Sequence, residues 1–445
     1  MIKKFIQKIF GNKPKTSCPA DSKAQIFSVK QHRIRAHLIP ENARFIINTL
    51  EQHGYQAYIV GGAVRDLLLK LNPKDVDIAT NATPEQIKRL FRRAFIIGKR
   101  FRIVHIVFGK ELFEITTFRG NHAHHPTNEH GRILQDNHFG THHEDATRRD
   151  FTINALYYNP TTEKIIDYHH GMADIQNKIL RVIGDPVARY REDPVRMLRA
   201  IRLAAKLHLT IDPKSHHPIK ELAPLISHIP PARIFDELLK FLQSGQALKC
   251  LTALRQTQLH LELLPWLEKA FTNPQSNQFI EHALNATDQR IQMGKSISPS
   301  FLFATLLWHE VLPLWESHQQ KGEHLLPALH LAIDDVLEKQ SEKLAIQRKI
   351  STDMRDIWSM QPRFLRRTGR APFKLITHPR LRAGYDFLLL RCQSNEIPSE
   401  LGTWWTQFIE ADDPTREKLL QSILPSETNK PKRKRRPTRH RSPKT

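Results

Sequence analysis

Residues 58–77, with the sequence YIVGGAVRDLLLKLNPKDVD, decide the fold class of this chain. The β-rich run 58–60 leads into two glycines, and a helix-like segment follows them. Glycines at a strand-to-helix turn let backbone N–H groups approach a phosphate closely, and the helix N-terminus adds favourable partial charge. Arg65 lies one turn into that helix and can reach the same phosphate with its fork of donors. We therefore predict that Gly61, Gly62 and Arg65 bind a nucleotide phosphate.

Two aspartates at the end of this stretch strengthen that prediction. Asp75 and Asp77 alternate with Val76 and Ile78, and in a strand this spacing projects both carboxylates to one face. Two like charges held so close are unfavourable without a cation, and paired carboxylates suit Mg²⁺, which prefers oxygen ligands. A bare D-x-D is typical of an ordinary solvated turn, but the preceding glycines and arginine favour a catalytic metal pair.

A third acid would complete such a site, and two residues are candidates. Glu114 lies mid-strand in the segment LFEITTFR, where a buried, unpaired carboxylate would be costly; the alternative is an exposed strand face. Asp150 lies in RRDFTIN at the start of a helix-like run, where Arg148 and Arg149 could meet a triphosphate. The alternative for Asp150 is a charge that complements a helix dipole. The identity of the third carboxylate stays open.

A second basic stretch, RYREDPVRMLRAIRLAAK at residues 189–206, has a helical pattern. Four charged residues recur in it at three-residue steps and form a band along one side of the helix: Asp193, Arg196, Arg199 and Arg202. An aspartate and an arginine three residues apart present acceptor and donor edges that suit a nucleobase. A solvated helix face is the alternative reading of the same band.

Four segments, in this order, resemble the class II nucleotidyltransferase family, which contains bacterial poly(A) polymerases and CCA-adding enzymes. They are GGAVRD at 61–66, DVD at 75–77, RRDFTINAL at 148–156 and EDPVRMLRAIRLAAKL at 192–207. The resemblance covers roughly residues 40–250. It implies an α+β protein with a polymerase-β-like head, built on a small mixed sheet of five strands, followed by an all-α neck, body and tail.

The resemblance also implies roles for individual residues. It implies that Asp75 and Asp77 bind the catalytic Mg²⁺ and that Asp150 belongs to the catalytic set. It further implies that Arg148 or Arg149 touches the nucleotide, and that the Asp193–Arg196 pair reads the base. Glu114 is not part of this implication and rests on the physical argument alone.

Three further features favour a poly(A) polymerase over a CCA-adding enzyme. The segments IGKRFRIVH at 97–105 and PPARIFDEL at 230–238 resemble that subgroup, as does a polycationic C-terminus. The expected activity is template-independent transfer of AMP from ATP to RNA 3′ ends, with release of pyrophosphate, in RNA processing and decay. A CCA-adding enzyme and a catalytically silent RNA-binding adaptor are the alternatives.

The domain organisation follows the change from mixed to purely helical patterns. We expect a basic N-terminal extension and linker at 1–40, a head at 41–170, a helical neck with the base-reading helix at 171–275, a helical body and tail at 276–425, and a disordered basic tail at 426–445. Seven histidines crowd residues 120–143 at irregular spacing, which favours a mobile polar loop over a metal site.

The two ends supply most of the formal net charge of +23. Residues 430–445 contain nine Lys and Arg and no acid, and residues 1–16 contain five Lys and no acid. A basic excess of this size points to a polyanionic partner. We therefore expect six cations of the tail to bind RNA: Lys432, Arg433, Lys434, Arg435, Arg436 and Arg439. The N-terminal run has the alternatives of a frayed terminus and a weak membrane-surface helix.

The three cysteines, Cys18, Cys250 and Cys392, are far apart and lack the spacing of a disulfide framework or a zinc site. No run of eighteen apolar residues exists, so no membrane-spanning helix is expected. These features fit a reducing, cytoplasmic location. The expected partners are RNA 3′ ends, ATP and RNA-decay or RNA-chaperone proteins, and we expect a monomer.

Overall fold

The computed structural model of the protein describes residues 24–98, 102–120, 139–341 and 343–422. Within these ranges the chain forms two compact units. The first runs to Pro230 and includes Lys249–Leu263, and the second consists of Pro231–Leu248 and the chain from Leu264 onward. The domain boundaries drawn from the sequence stay predictions.

The first unit contains an eight-stranded sheet. Its strands are β1 Gln25–Phe27, β2 Ala57–Val60, β3 Asp77–Thr80, β4 Ala94–Ile97, β5 Ile103–Phe108, β6 Glu111–Thr117, β7 Leu156–Asn159 and β8 Lys164–Asp167. The spatial order is β1-β8-β7-β2-β3-β6-β5-β4, and neighbours are antiparallel except for the parallel pair β3 and β6. Two short strands, β9 Ile179–Leu180 and β10 Thr210–Ile211, form a separate parallel ladder. The α+β class and the mixed sheet are thus confirmed, but the sheet has eight strands and not five.

Helices α1 to α10 accompany this sheet. They are Val29–His32, Glu41–Gln52, Gly62–Leu68, Pro84–Leu90, His142–Thr147, Gly171–Gln176, Pro186–Glu192, Val195–Leu207, Pro213–His216 and Ile219–Leu222. Short 3₁₀ turns lie at Ala36–Leu38, Thr152–Asn154 and Ala223–His228.

The remaining helices, α11 to α22, form the described part of the chain from Pro231 on. They are Pro231–Leu242, Ala247–Gln256, His260–Leu263, Leu267–Thr272, Pro274–Gln292, Pro299–Gln320, Leu325–Ser341, Arg348–Phe364, Ala371–Ile376, Leu381–Gln393, Ser399–Glu410 and Asp413–Gln421. No helix in the described ranges has both the length and the apolar character needed to cross a bilayer.

Local signals set several of these elements as the sequence predicts. Helix α4 begins at Pro84, and its N-cap Thr83 forms a capping box with Gln86. Helix α2 buries an apolar stripe of Ala43, Ile46, Ile47 and Leu50, and the chain turns at Gly54, whose φ of 82° is left-handed. These two helices therefore start and stop for the reasons read from the sequence.

Two predictions about secondary structure are wrong. An extension and linker is expected at 1–40, yet the described part of this segment supplies β1 and α1, and β1 pairs with β8 at Gln25↔Asp167. This edge strand forms because its backbone pairs with β8, which is distant in the sequence. No local sequence pattern predicts such a pairing. The run from Asp150 reads as a helix but makes one 3₁₀ turn and enters β7, all four residues of which are buried.

Two predicted segments fall largely or wholly outside the described residues. The histidine-rich loop lies mostly in 121–138, and the basic tail lies in 423–445. The described ranges contain no group of three or more His, Cys, Asp or Glu placed to hold a metal ion.

Candidate active site

The glycine turn lies where β2 ends and α3 begins. Gly61 has φ 68° and ψ −128°, a backbone conformation that side chains rarely allow. A Cβ added at Gly61 would also lie 3.5 Å from Arg149 Nη1. The backbone conformation therefore requires glycine at this position, and the turn lies within van der Waals distance of the Arg149 guanidinium.

The acidic pair lies on the strand next to this turn. Asp77 is the first residue of β3 and pairs in register with Val60, the residue before Gly61, while Asp75 precedes the strand. Both aspartates are exposed at the surface. Protein nevertheless surrounds the Asp77 carboxylate closely enough that burial raises its pKa to about 6; Glu114 and Asp75 add to this shift and Arg149 opposes it.

Glu114 lies beside Asp77 on the neighbouring strand. The parallel register of β3 and β6 sets Ile78 against Ile115, so the residues before them are neighbours on one face. The Glu114 side chain is 49% exposed, and its Oε1 lies 3.5 Å from His105 Nε2. Glu114 thus lies on an exposed strand face, next to Asp77.

A buried network orients Arg149. Its Nε donates to Tyr157 Oη at 2.9 Å, and its Nη2 donates to Asp145 Oδ2 at 3.0 Å. Tyr157 Oη also donates to Asp145 Oδ2 at 2.6 Å, and the Arg149 guanidinium lies 5.0 Å from the Tyr157 ring centroid. Burial disfavours the charged form of Arg149, but its interactions with Tyr157 and Asp145 outweigh this effect and raise its pKa. Arg149 is therefore a fixed cation, with Nη1 directed at the Gly61 turn.

Asp150 lies beside the long helix α8. Its Oδ2 is 2.6 Å from Arg199 Nη2, and its Oδ1 accepts from the backbone N–H of Phe151 at 2.8 Å. Although burial opposes ionisation, the charge of Arg199 and these hydrogen bonds lower the pKa of Asp150.

Arg65 is buried and already has partners. Its Nε and Nη2 donate to Asp66 Oδ1 at 2.8 Å and 2.6 Å, and its Nη1 donates to Asn154 Oδ1 at 2.8 Å. Asn154 Nδ2 in turn donates to Asp150 Oδ1 at 3.0 Å. The structure therefore brings Arg65 and Asp150 together through Asn154.

A second set of contacts anchors the proposed base-reading helix. Arg189 Nη2 donates to the carbonyl oxygens of Arg148 and Arg149 at 2.5 Å and 2.7 Å. Glu192 Oε2 accepts from Arg189 Nη1 at 2.7 Å and from Arg196 Nη1 at 2.8 Å. Burial lowers the pKa of Arg189 to about 10, with a contribution from Arg196 that Glu192 opposes.

The predicted band of charges does not lie on a bare surface. Arg196 is buried, and Asp193, Arg199 and Arg202 are half-buried. Arg148 is also half-buried, at the C-terminal end of α5. This partial burial favours specific contacts over a fully solvated helix face.

Sequence reasoning missed five residues of this site: Asp145, Asn154, Tyr157, Arg189 and Glu192. Glu192 had a detectable signal, because it lies three residues after Arg189 and four before Arg196, spacings that pair charges on helices. Asn154 had no such signal, since its partner Arg65 is 89 residues away.

Family models match three segments of this chain. "Poly A polymerase head domain" matches residues 57–181, "Probable RNA and SrmB- binding site of polymerase A" matches 208–271, and "Polymerase A arginine-rich C-terminus" matches 321–441.

Several characterised proteins are similar to this chain. Poly(A) polymerase I of Salmonella typhimurium is 42% identical over 427 residues, covering 93% of this chain and 91% of that protein. Poly(A) polymerase I of Haemophilus influenzae is 43% identical, covering 89% and 90%. The CCA-adding enzyme of Bacillus subtilis is 38% identical but covers 49% of this chain and 54% of that protein.

A solved structure shares the fold. The Bacillus stearothermophilus CCA-adding enzyme, in complex with CTP, aligns with a TM-score of 0.57 and 26% identity, covering 86% of this chain and 82% of that one. The similarity to poly(A) polymerases extends over nearly the whole chain, whereas the sequence similarity to CCA-adding enzymes covers half. The chain therefore belongs to the poly(A) polymerase I family of nucleotidyltransferases.

Proposed function

We propose that this chain transfers AMP from ATP to the 3′ hydroxyl of RNA without a template and releases pyrophosphate. One observation carries the proposal: Asp77 pairs in register with Val60, the residue before Gly61. Arg149 lies close to the Gly61 turn, and its charge lowers the pKa of Asp77 against the effect of burial. Carboxylates for a cation and donors for phosphate thus lie at one place. Nearly full-length similarity to poly(A) polymerases supports RNA and ATP as the substrates.

Nucleotidyltransferases that use ATP or CTP generally need a divalent metal ion. Asp75 and Asp77 fit such an ion, because they offer oxygen donors only, and repulsion from Glu114 and Asp75 contributes to the raised pKa of Asp77. We assign Asp75 and Asp77 as the ligands of Mg²⁺, and Glu114 on the neighbouring strand adds negative charge beside Asp77. When bound, the ion lowers the pKa of the attacking hydroxyl and neutralises charge on the leaving phosphates.

The chain's own residues then hold the triphosphate. The backbone N–H groups of Gly61 and Gly62, together with Arg149 Nη1, supply donors at the turn. Because Tyr157 and Asp145 fix Arg149 in advance, its guanidinium does not have to be reorganised as the transition state forms. Arg148, at the C-terminal end of α5, is the other candidate for this contact with the triphosphate.

We assign Arg65 and Asp150 a positioning role alongside the nucleotide-binding and catalytic roles expected from the sequence. Arg65 is buried, the Asp150 side chain is 10% exposed, and Asn154 joins them, so they hold the turn and the long helix in register. Reacting groups must be held closely for phosphoryl transfer, since positioning contributes much of the rate.

We propose that helix α8 and the residue before it read the base of ATP. Arg196 is held by Glu192 and by the carbonyl oxygen of Arg189, which presets the Arg196 guanidinium. Asp193 and Arg196 would then offer an acceptor and a donor to the adenine edge. Arg199 and Arg202 continue the basic band and would contact phosphate or ribose.

RNA contacts are proposed from the matched segments and the charged tail. Residues 208–271 match a probable RNA-binding segment, which also suggests this stretch for RNA-decay or RNA-chaperone partners. The tail cations Lys432–Arg436 and Arg439 lie outside the described residues, and their RNA binding stays a proposal. We further propose that the protein acts as a monomer in the cytoplasm.

One assay separates this function from its alternatives. Purified protein is incubated with Mg²⁺, labelled ATP or CTP, and either a generic RNA or a tRNA that lacks its 3′ end. Long A-tails on the generic RNA are expected. One or two C residues and a single A on the truncated tRNA would instead identify a CCA-adding enzyme, and RNA binding without incorporation would identify an adaptor.

A further inference from the structure

The second unit contains a cavity of about 580 Å³, lined by residues of helices α15, α16, α18 and α20 and the segments before α16 and α20. No residue of the candidate active site lines it. Binding sites for small molecules typically measure about 300–1,000 Å³. The cavity is therefore large enough for one nucleotide, and its chemistry decides what it holds.

The floor of the cavity is apolar. Leu302 and Ile357 line it, and each has only 1% of its surface accessible. Phe301 forms part of the wall and packs edge-on against Phe387, with ring centroids 6.2 Å apart. An aromatic wall beside an aliphatic floor suits the flat, apolar face of a nucleobase.

Two carboxylates provide hydrogen-bond acceptors at the sides. Asp353 accepts from Ser300 Oγ at 3.2 Å and lies 2.6 Å from Arg380. Asp386 lies 3.1 Å from Arg382, and burial raises its pKa although Arg382 opposes this. Half-buried acceptors of this kind suit a ligand that carries N–H or hydroxyl donors, such as a base amine or a ribose.

The charge of the lining favours one nucleotide of a strand. Three arginines and two aspartates line the cavity and give a net formal charge of +1. Arg290 lies on the exposed side, where its Nη2 donates to the carbonyl oxygen of Ser296 at 3.1 Å. A phosphodiester carries one negative charge and matches this lining, whereas a free triphosphate carries several.

We propose that this cavity is an accessory RNA subsite, which holds one unpaired nucleotide of the substrate strand. The base lies over Leu302 and Ile357, and the phosphodiester lies at Arg290 and Arg380. The subsite rests on the proposed function, because an enzyme that extends RNA must keep hold of a strand whose 3′ end changes at every step.

The test measures RNA binding to the full chain without ATP, so that binding and catalysis are separate. Fluorescence anisotropy reports the affinity for a labelled single-stranded RNA of about twenty nucleotides. Ala286 lines the cavity and is exposed. The larger side chain of Ala286→Trp should therefore occupy the mouth of the cavity without having to fit into the packed interior. This variant should weaken RNA binding about tenfold, the loss of one stacked base. At saturating RNA its rate of single-AMP addition should equal that of the wild type.

A charge-reversal pair is the matched control. Arg290→Glu and Arg366→Glu both reverse an exposed arginine of the second unit, but only Arg290 lines the cavity. We expect Arg290→Glu to weaken RNA binding at least fivefold more than Arg366→Glu does. Equal effects would mean that general surface charge, and not the cavity, attracts RNA, and would overturn the proposal.

Three further outcomes distinguish failure of the subsite from failure of the proposed function. Normal RNA affinity in Ala286→Trp, with unchanged thermal unfolding, would overturn the subsite. If calorimetry with AMP then showed a binding site that Ala286→Trp abolishes, the cavity would hold a free nucleotide and not RNA. Wild-type protein that binds RNA through this cavity but adds no AMP would overturn the proposed function and leave the subsite standing.

Discussion

Asn154 donates a hydrogen bond from its Nδ2 to Asp150 Oδ1 at 3.0 Å, while its own Oδ1 accepts one from Arg65 at 2.8 Å. Arg65 belongs to the helix that follows the glycine turn, and Asp150 forms an ion pair with Arg199 of the proposed base-reading helix. One amide therefore joins the proposed triphosphate and base sites. The position of Arg65 therefore depends on that of Asp150, and the reverse, through Asn154.

The first prediction concerns Asn154→Leu, which keeps the size of the side chain but removes both hydrogen bonds. Leaving Arg65 and Asp150 without this partner should lower the free energy of unfolding by about 1–3 kcal/mol. Loss of register should lower kcat/KM for ATP about 100-fold. Urea unfolding and initial rates of AMP incorporation measure the two effects.

Asn159→Leu is the matched control for that experiment. Asn159 is also buried in the first unit, and its Nδ2 donates to Glu51, outside the site. It should lose comparable stability and keep its activity per folded molecule. If both variants retained normal activity, Asn154 would be a structural residue without a role in positioning.

The second prediction concerns the acidic pair. Asp75→Asn removes one proposed metal ligand at an exposed position, so we expect an unchanged fold and at least about a 100-fold loss of AMP incorporation. Circular dichroism and a labelled-ATP assay measure these results. Glu111→Gln is the control, because it neutralises an exposed carboxylate of β6 outside the proposed metal set. Full activity of Asp75→Asn would remove the residue from the site.

The third prediction follows from the pKa of Asp77, which burial and neighbouring charges raise to about 6 from an ordinary value of 3.8. Protonation removes the charge that attracts a cation. At limiting Mg²⁺, incorporation should therefore fall as the pH drops through about 6, and more Mg²⁺ should move the midpoint to lower pH. Initial rates at two Mg²⁺ concentrations test this, and a midpoint independent of Mg²⁺ would contradict it.

The same raised pKa of Asp77 has the opposite effect on the stability of the metal-free protein: lowering the pH stabilises it. The folded chain binds this proton more readily than the unfolded chain does, so ionised Asp77 lowers stability above pH 6. That penalty disappears as the pH falls from about 6 towards 4. Thermal unfolding of Asp77→Asn should lack this pH-dependent change, and the difference from wild type isolates the contribution of Asp77.

The sequence predicts those parts of the fold and site that local chemistry determines. Thr83 and Pro84 set the start of a helix, and Gly61 sits where only glycine tolerates the backbone. Contacts between distant residues leave no such signal. The partners of Arg65 and the pairing of β1 depend on how the chain packs, so the sequence could name Arg65 but not the amide that holds it.

The fourth prediction concerns the ion pair of Arg199 and Asp150, whose side chains are 39% and 10% exposed. Arg199→Met leaves a buried carboxylate without its cation. Because Arg199 is partly in water, the expected loss is about 1–3 kcal/mol, below that of a fully buried pair. Since Arg199 helps to lower the pKa of Asp150, its removal raises that pKa, so the stability lost relative to the wild type should shrink as the pH falls and Asp150 is protonated.

Base selection provides the functional side of the Arg199 experiment. We expect the ratio of ATP to CTP incorporation to fall in Arg199→Met and stay unchanged in Lys178→Met, which removes an exposed cation of the same unit. Adding Asp150→Asn to Arg199→Met should restore much of the stability, because it removes the unpaired charge. Unchanged nucleotide selectivity in Arg199→Met would confine the ion pair to a structural role.

The fifth prediction concerns the nine Lys and Arg of residues 430–445. Cations that neutralise phosphates release counterions, so RNA affinity falls with salt at a slope of about −0.7 for each contact on a single strand. Deleting 430–445 should weaken RNA binding and flatten this slope by up to about six units. It should also shorten processive runs and spare single-AMP addition. A full-length chain with these nine residues changed to Gln separates charge from length: it should behave like the deletion, and an unchanged salt slope would show that the tail does not bind RNA.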